Sequence, residues 1–339
     1  MKVCCNCFAD QELKGFIQSS TDIGDCKICD SRDVPLLEIT ELLDFFQELF
    51  DNFQVSDQGK PIKNIIHENW NFFSSINVAV LIIDNILPLL STDISNSEVN
   101  VDYSDDIIEN YSYWEFLKEE LKWSKRFLHD IEYLEELGWD GYFNTQYELK
   151  HSDVLFRARV HHQSGLPVYL SDEMMCPSPS LAGGGRANPL GIPYLYLSDN
   201  AETILYEVRA AYLDELSIGT FYLKEEYSSV KIVDFTEETS LFQPSKINET
   251  IKARLLRERI SIDLSKPMRR YDSEIEYIPT QFICEFIKVF TGASGIRFSS
   301  SLHPNGKNIV IFDQNLMICK EVILKRVNSL NLEAIELTG

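Results

Sequence analysis

Five of the eight cysteines lie within the first 29 residues, and four of them form two closely spaced pairs. Two residues separate Cys4 from Cys7 and Cys26 from Cys29, and 18 residues lie between the pairs. Each short turn directs two sulfurs to one point, and four thiolates complete a tetrahedron around Zn²⁺. Four protein ligands leave no open coordination position, so we interpret the pairs as a structural zinc site. The alternative is a set of reduced, unrelated thiols.

A second group of residues is cationic and lies in the β-rich segment 154–160. Arg157 and Arg159 are two residues apart, so they share one face of the predicted strand. The planar guanidinium group suits phosphate, which it binds through parallel hydrogen bonds. In a chain of net charge −22, this pair indicates a local anion site. The alternative is that both arginines pair with surface carboxylates.

A glycine-rich and proline-rich loop covers residues 183–193 and carries a further cation, Arg186. Glycines allow a ligand to approach the backbone closely. The loop lacks the GKS or GKT of a phosphate-binding P-loop and the spacing of a dinucleotide fingerprint. Tyr194 and Tyr196 share one face of the strand that follows; they either stack on a planar ligand or belong to the core, and spacing alone favours the core.

The segment after this strand contains an unexplained carboxylate. Asp199 and Glu202 fit a helix capping box, whereas Glu207 follows apolar residues on a predicted helix and has no structural explanation. A carboxylate beside a packed face is costly unless it is paired or used. The alternative is a surface pair of Glu207 with Arg209, or a solvated glutamate. Three serines, Ser299, Ser300 and Ser301, end a later predicted strand and add hydroxyl groups at a loop.

These residues require elements to position them, and the chain divides into three stretches. Residues 1–35 form a zinc knuckle, residues 36–150 read as mostly helical, with a loop at 91–106, and residues 151–325 read as an α+β domain. The periodicity predicts helices at 38–53 and from 107 to about 137. In the last stretch we predict strands at 154–160, 194–197, 221–223, 230–235, 295–298 and 308–312, and helices at 200–213, 246–259 and 279–290.

The charge and hydropathy of the chain limit the classes of function. A net charge of −22 argues against a general nucleic-acid binder. The longest apolar run, 76–90, is interrupted by polar residues and is too short for a membrane span. The N-terminus MKVCCNC lacks an apolar signal core, so we expect a cytoplasmic protein. Segment 91–150 has 15 acidic and 5 basic residues, which indicates a solvated helix face or, alternatively, a docking surface for a basic partner.

Taken in order, the blocks of residues 151–320 resemble the RES domain family. The matching segments are LFRAR with Arg157, GRANPLGIPYLYLSD, the helix that ends at Glu207, and GIRFSSS with Ser300; the stretch 277–281, YIPTQ, fits longer members. The paired cysteines and the helical stretch behind them resemble the zinc-containing, HEPN/RES-type N-terminal extension of some members. The HEPN nuclease pattern is not evident, because Arg126 and His129 are too close, and we predict no RNase activity.

The resemblance implies an ADP-ribosyltransferase-like fold that acts on NAD⁺ as substrate. It implies catalytic roles for Arg157, Glu207 and Ser300, with Ser299 or Ser301 as alternatives to Ser300. Arg186 would bind the pyrophosphate and Tyr196 would contact the nicotinamide side. Members of the family are often toxins paired with a helix-turn-helix antitoxin, and many form homo-oligomers. Two further residues are cofactor-binding candidates: Arg159 and Ser198.

Two functions from different classes follow from these observations. The first is an enzyme that cleaves the nicotinamide–ribose bond of NAD⁺, as a glycohydrolase, a phosphorylase or a protein ADP-ribosyltransferase. The second is a non-catalytic, zinc-bearing interaction module that uses the acidic helical stretch. The enzyme requires one pocket that joins Arg157, Arg186, Glu207 and Ser300.

Overall fold

A computed structural model describes residues 1–144, 146–267 and 274–329. The chain forms two compact units, one of residues 1–114 with 238–256 and one of residues 115–237 with those after 256. Helices and sheets are mixed, which confirms the predicted α+β class. The predicted division at 1–35, 36–150 and 151–325 stays a prediction, and residues 268–273 of its last part lie outside the described residues.

The first unit combines a small sheet with helices around a phenylalanine-rich core. The sheet has the order β1-β3-β2, and β4 pairs with β5 in a separate ladder. Its apolar helix positions at 42, 45, 46, 49 and 50 are all buried, as their helical spacing predicts. The strands are β1 Lys2–Cys4, β2 Ile23–Gly24, β3 Val34–Glu38, β4 Phe53–Pro61 and β5 Asn100–Tyr103, and the helices are α1 Gln11–Gln18, α2 Leu43–Phe50, α3 Ile62–Asn64, α4 Ile76–Ile86 and α5 Asp105–Trp123, which continues into the second unit.

Two sequence predictions in this unit were wrong in detail. The helix predicted at 38–53 is a 3₁₀ turn, Ile39–Leu42, followed by α2, and Phe53 already begins β4. The loop predicted at 91–106 contains β5 and the start of α5. Strand β5 was missed because its four residues, NVDY, have too little alternation to separate them from a polar loop.

The second unit is built on one eight-stranded sheet with the order β13-β9-β7-β8-β12-β11-β10-β6. All adjacent pairs are antiparallel except β10 with β11, which is parallel. The strands are β6 Gln146–Lys150, β7 Leu155–Val160, β8 Leu195–Ser198, β9 Glu215–Leu223, β10 Ser229–Asp234, β11 Gly295–Ser299, β12 Lys307–Ile311 and β13 Met317–Arg326, and the helices are α6 Ile131–Glu136, α7 Trp139–Tyr142, α8 Thr203–Glu207, α9 Ile247–Ser265, which begins in the first unit, and α10 Ile278–Phe290.

Strands occur at all six places in this unit where the sequence predicts them. Helix α8, in contrast, is much shorter than the predicted helix 200–213. It ends because Arg209 adopts a left-handed backbone with φ of 52°, which a helix cannot contain. The predicted capping box is absent: Glu202 is the N-cap and makes no side-chain capping bond. Asp199 instead accepts the backbone N–H of Lys307 at 3.1 Å.

Membrane insertion through a helix finds no support in the structure. None of the helices in the described ranges combines the length and the apolar character that a bilayer crossing requires. The apolar run at 76–90 instead forms α4, whose buried side chains belong to the core of the first unit.

Candidate active site

A cavity opens where the neighbouring inner strands β7 and β8 move apart. The two strands form one described backbone pair, Phe156 with Ser198. Continuing that antiparallel register would pair residue 157 with 197 and residue 158 with 196. Instead, these four residues line a cavity of about 570 Å³, a size typical of small-molecule sites.

The cavity brings together four residues that the sequence singled out. These are Arg157 on β7, Arg186 in the glycine-rich loop, Tyr196 on β8 and Glu207 at the end of α8. Ser300, which follows β11, is not part of the cavity lining, contrary to the prediction of one pocket that includes it, but it is hydrogen-bonded to Glu207. The remaining lining residues are Ala158, Gly185, Leu197, Ile204, Val208, Arg209, Tyr277, Phe298, Leu302 and Asn308.

Glu207 is held by two neighbouring strands. Ser300 Oγ and Asn308 Nδ2 each donate to Glu207 Oε1 at 2.7 Å. Asn308 lies on β12, and Ser300 follows β11, the next strand of the sheet. These two bonds explain how a carboxylate beside the packed residues of α8 is accommodated.

Arg157 projects from β7 and is held by a carbonyl of the following segment. Its Nη1 donates to Met174 O at 2.8 Å. Burial, together with the positive charge of Arg159, lowers the pKa of Arg157 to about 10. Because this pKa lies well above 7, the guanidinium keeps its charge at neutral pH and can bind an anion.

Arg186 is positioned by two later helices, α9 and α10. Its Nη1 donates to the Leu264 carbonyl, at the C-terminal end of α9, at 2.8 Å. Thr280 Oγ1 donates to the Arg186 carbonyl at 2.6 Å, and Gln281 Nε2 donates to the Gly185 carbonyl at 2.8 Å. The first turn of α10 therefore fixes the backbone that carries Arg186.

Tyr196 forms hydrogen bonds with the same loop. Its hydroxyl donates to Asn188 Oδ1 at 2.8 Å and accepts the Ala187 N–H at 3.0 Å. Burial raises the pKa of Tyr196, so the phenol stays protonated and remains a donor. Tyr194, in contrast, is buried against Phe312, with ring centroids 4.8 Å apart, which confirms the core interpretation for that residue.

Gly185 has no room for a side chain, and this gives a first prediction. A Cβ at this position would lie 2.6 Å from the Tyr196 hydroxyl and 2.7 Å from Asn188 Oδ1. We expect Gly185→Ala to separate that pair and to lower the free energy of unfolding by about 1–3 kcal/mol, the usual cost of overpacking. Thermal unfolding measures the change. Gly183→Ala is the matched control, because nothing lies within 4 Å of its Cβ, and an equal effect at both positions would contradict the prediction.

Two other predicted binding residues lie outside the lining of this cavity. Ser198 is 1% exposed and donates to the Lys307 carbonyl at 2.8 Å. Arg159 Nη2 donates to Met175 O at 2.7 Å, and its side chain lines a separate cleft of about 400 Å³ with residues such as Tyr169 and Cys176. Arg157 and Arg159 thus share a face of β7 but not a cavity.

Sequence reasoning missed three polar residues of the cavity: Asn308, Arg209 and Tyr277. Asn308 begins a buried strand, and an isolated asparagine gives no signal of function. Arg209 was interpreted only as a surface partner of Glu207. Tyr277 was singled out only as part of the YIPTQ motif. Two other residues of that motif, Thr280 and Gln281, bond to the backbone of the loop that carries Arg186.

The four paired cysteines of the first unit form a cluster that could hold a metal ion. Their sulfurs all lie within 4.8 Å of one another, with Cys4 to Cys29 at 3.4 Å, Cys7 to Cys26 at 3.5 Å and Cys4 to Cys7 at 3.9 Å. Burial raises the pKa of Cys4 to about 12. For Cys29, burial opposes the hydrogen bonds from Ser31, which prevail and lower its pKa to about 7.

Comparison with known proteins identifies the family of the chain. The model of the RES domain matches residues 154–329, which is more than half of the chain, and the chain belongs to this family. No curated protein matches it. Among solved structures, the crystal structure of the M. tuberculosis MbcT–MbcA toxin–antitoxin complex contains a chain with 14% identity, aligned over 56% of this chain and 92% of that one, at a TM-score of 0.30. That score is too low to support an argument.

Proposed function

We propose that this protein consumes NAD⁺ by breaking its nicotinamide–ribose bond. The observation that carries the proposal is the composition of the cavity: three arginines, Arg157, Arg186 and Arg209, line it together with one anchored carboxylate, Glu207. These three cations lie together in a chain whose net charge is −22. A ligand that presents two phosphates and develops one positive charge fits this arrangement.

The arginines would hold the pyrophosphate of NAD⁺. Guanidinium groups bind phosphate oxygens through charge-assisted hydrogen bonds, which are about twice as strong as neutral ones. Arg157 and Arg186 are each fixed by one backbone carbonyl, so little freedom is lost when a phosphate binds. Arg209 extends the site beyond what the sequence indicated.

Glu207 would stabilise the reacting ribose. When the bond between the anomeric carbon and the nicotinamide nitrogen breaks, the electron pair leaves with nicotinamide, which departs as a neutral base. The ribose carbon is left with oxocarbenium character, and a fixed carboxylate stabilises that positive charge. An acceptor oxygen then bonds to the same carbon, and the acceptor's proton passes to solvent.

The acceptor decides which kind of enzyme this is. Water would give ADP-ribose, phosphate would give a phosphorylated ADP-ribose, and a protein side chain would give a modified protein. Incubation of the purified protein with NAD⁺, with and without phosphate, and measurement of nicotinamide and the second product by chromatography separates these cases. Absence of nicotinamide release with every acceptor, including a cell lysate, would refute the proposal and favour an interaction module.

A second prediction uses the two arginines of β7. We expect Arg157→Gln to weaken NAD⁺ binding by about 10–100-fold, because one hydrogen bond to a charged group contributes about 1.5–3 kcal/mol. Titration calorimetry on the inactive Glu207→Gln background measures binding without turnover. Arg159→Gln is the matched control, since Arg159 lies on the same face of β7 but lines a different cleft. Equal losses for the two variants would contradict this assignment.

We propose Zn²⁺ as the metal of the cysteine cluster. Tetrahedral zinc with bonds of about 2.3 Å places its sulfurs about 3.8 Å apart. The three separations given above are 3.4 to 3.9 Å, and all four sulfurs lie within 4.8 Å of one another. Cys4, Cys7, Cys26 and Cys29 would form a closed, structural site. Because cysteine thiols stay reduced in the cytosol, where they can bind zinc, we propose that the protein acts in the cytoplasm.

We further propose a biological setting of a bacterial toxin or defence effector. An enzyme that depletes NAD⁺ harms its own cell unless it is restrained, so a regulator such as a helix-turn-helix antitoxin would accompany it, and a homo-oligomer is a further expected assembly. Co-expression of candidate regulators with the wild-type protein, scored by cell growth, tests this setting separately from the chemistry.

A further inference from the structure

One oxygen of the Glu207 carboxylate receives two side-chain hydrogen bonds. Ser300 Oγ and Asn308 Nδ2 both lie 2.7 Å from Glu207 Oε1. A carboxylate is only an acceptor, so both partners must donate, and this requirement fixes which end of the Asn308 amide faces Glu207. The second oxygen, Oε2, is the one left for a ligand in the cavity.

The Ser300 hydroxyl is saturated by the protein. It donates to Glu207 and accepts the backbone N–H groups of Leu302 and His303, each at 3.2 Å. A hydroxyl has one donor and two acceptor sites, so these three contacts use its full capacity. Ser300 is therefore equipped to orient Glu207 and not to bind a substrate oxygen.

Asn308 is the more rigid of the two donors. Its backbone lies on β12 between two partner strands, opposite Phe298 of β11 and Ser198 of β8. The residue is 8% exposed and lines the cavity. A donor carried by an inner strand of the sheet keeps its place whether or not a ligand is bound, whereas Ser300 belongs to the loop after β11.

We propose that Asn308 is a positioning residue that, together with Ser300, clamps Glu207 Oε1 and so presents Oε2 to the ribose. The turnover part of this inference rests on the proposed function. Fixed donors orient a charge before the reaction begins, which is how enzymes stabilise a developing charge without reorganisation. A carboxylate free to rotate would also occupy orientations in which Oε2 does not face the sugar.

Two substitutions distinguish this role from simple packing. We expect Asn308→Ala to lower kcat by about 10–100-fold with KM for NAD⁺ changed less than about threefold, because small misplacements of a reacting group cost up to about 100-fold. Asn308→Asp is nearly isosteric, yet at pH 8 it should be worse than alanine, since two carboxylates then face each other. Asn315→Asp, at an exposed position of the same unit, is the control and should match wild type.

The pH profile is the readout that packing alone would not move. Two facing carboxylates take up one shared proton more readily, and the protonated group can donate again. The kcat of Asn308→Asp relative to wild type should therefore recover as the pH falls from 8 to about 5.5, while that of Asn308→Ala should not. Taking the ratio to wild type cancels the contributions of His303 and of the cavity arginines. Equal profiles for the two variants would overturn the proposal.

A second measurement is independent of turnover. The carboxyl ¹³C signal of Glu207, assigned by its loss in Glu207→Gln, should move in Asn308→Ala and in Ser300→Ala but not in Asn315→Asp, with circular dichroism confirming that each variant is folded. An unchanged signal in Asn308→Ala would overturn the clamp even if wild type consumes NAD⁺. If wild type does not consume NAD⁺ and the signal moves, the clamp stands and the proposed function fails.

Discussion

Replacing Glu207 by glutamine is expected to reduce nicotinamide release from NAD⁺ by about 100–1000-fold, the loss typical when one preorganised electrostatic group is removed. Glutamine keeps the size of the side chain and an oxygen that can accept from Ser300 and Asn308, both of which donate to Glu207 in the wild type. It removes only the negative charge that would face the oxocarbenium-like ribose. The effect should therefore appear in kcat, with NAD⁺ binding largely retained.

The matched control is Glu202→Gln, five residues earlier in the chain. Glu202 is the N-cap of α8, and its side chain is 64% exposed. The same charge is lost, but outside the cavity, so turnover should stay at the wild-type level. The turnover of Glu207→Ala should fall at least as far as that of Glu207→Gln, because alanine also leaves Ser300 and Asn308 without their acceptor. If the wild-type protein releases nicotinamide and Glu207→Gln does so at the same rate, Glu207 has no role in the reaction.

The sequence predicted which residues belong to the site better than it predicted where they lie. Arg157, Arg186, Tyr196 and Glu207 converge on one cavity, although 50 residues separate the first from the last. Their residue types, and the resemblance to the RES family, were sufficient to select them.

The separation of Arg157 from Arg159 could not be predicted from the sequence. Alternation along a strand places both on one face, but it does not say where neighbouring strands diverge. The gap between β7 and β8 begins beside Phe156 and takes in Arg157, while Arg159 reaches the cleft that Tyr169 also lines. Long-range strand pairing therefore decided which arginine enters the cavity.

Asn308 illustrates a second limit of sequence reasoning. Its hydrogen-bond acceptor Glu207 is 101 residues away, and Ser300, the second donor to Glu207, is 8 residues away. The three residues meet because β8, β12 and β11 are adjacent in the sheet. The predicted helix 200–213 was too long for a related reason: a non-glycine residue such as Arg209 rarely adopts a positive φ, so nothing in the local sequence indicated that the helix would end there. In both cases tertiary structure determined the outcome.

Removal of the proposed zinc ion should have the largest effect on stability. We expect Cys26→Ser to lower the free energy of unfolding by roughly 5 kcal/mol or more, since apparent binding free energies at structural zinc sites reach about 10 kcal/mol or more. Cys26 is buried, and its sulfur lies 3.5 Å from that of Cys7. Zinc content by mass spectrometry and thermal unfolding, each with and without a chelator, measure the change.

Cys5→Ser is the control for this substitution, because Cys5 is also buried but its thiol contacts Asn6 at 3.7 Å and is not part of the four-cysteine cluster. It should keep one zinc per chain and lose little stability. The chelator should also act more readily at lower pH. A ligand such as Cys4, whose pKa burial raises to about 12 in the metal-free cluster, must lose its proton to bind zinc, so acid favours the empty, protonated form. A wild-type protein that binds no zinc and unfolds at the same temperature with and without chelator would show that the four cysteines are only buried thiols.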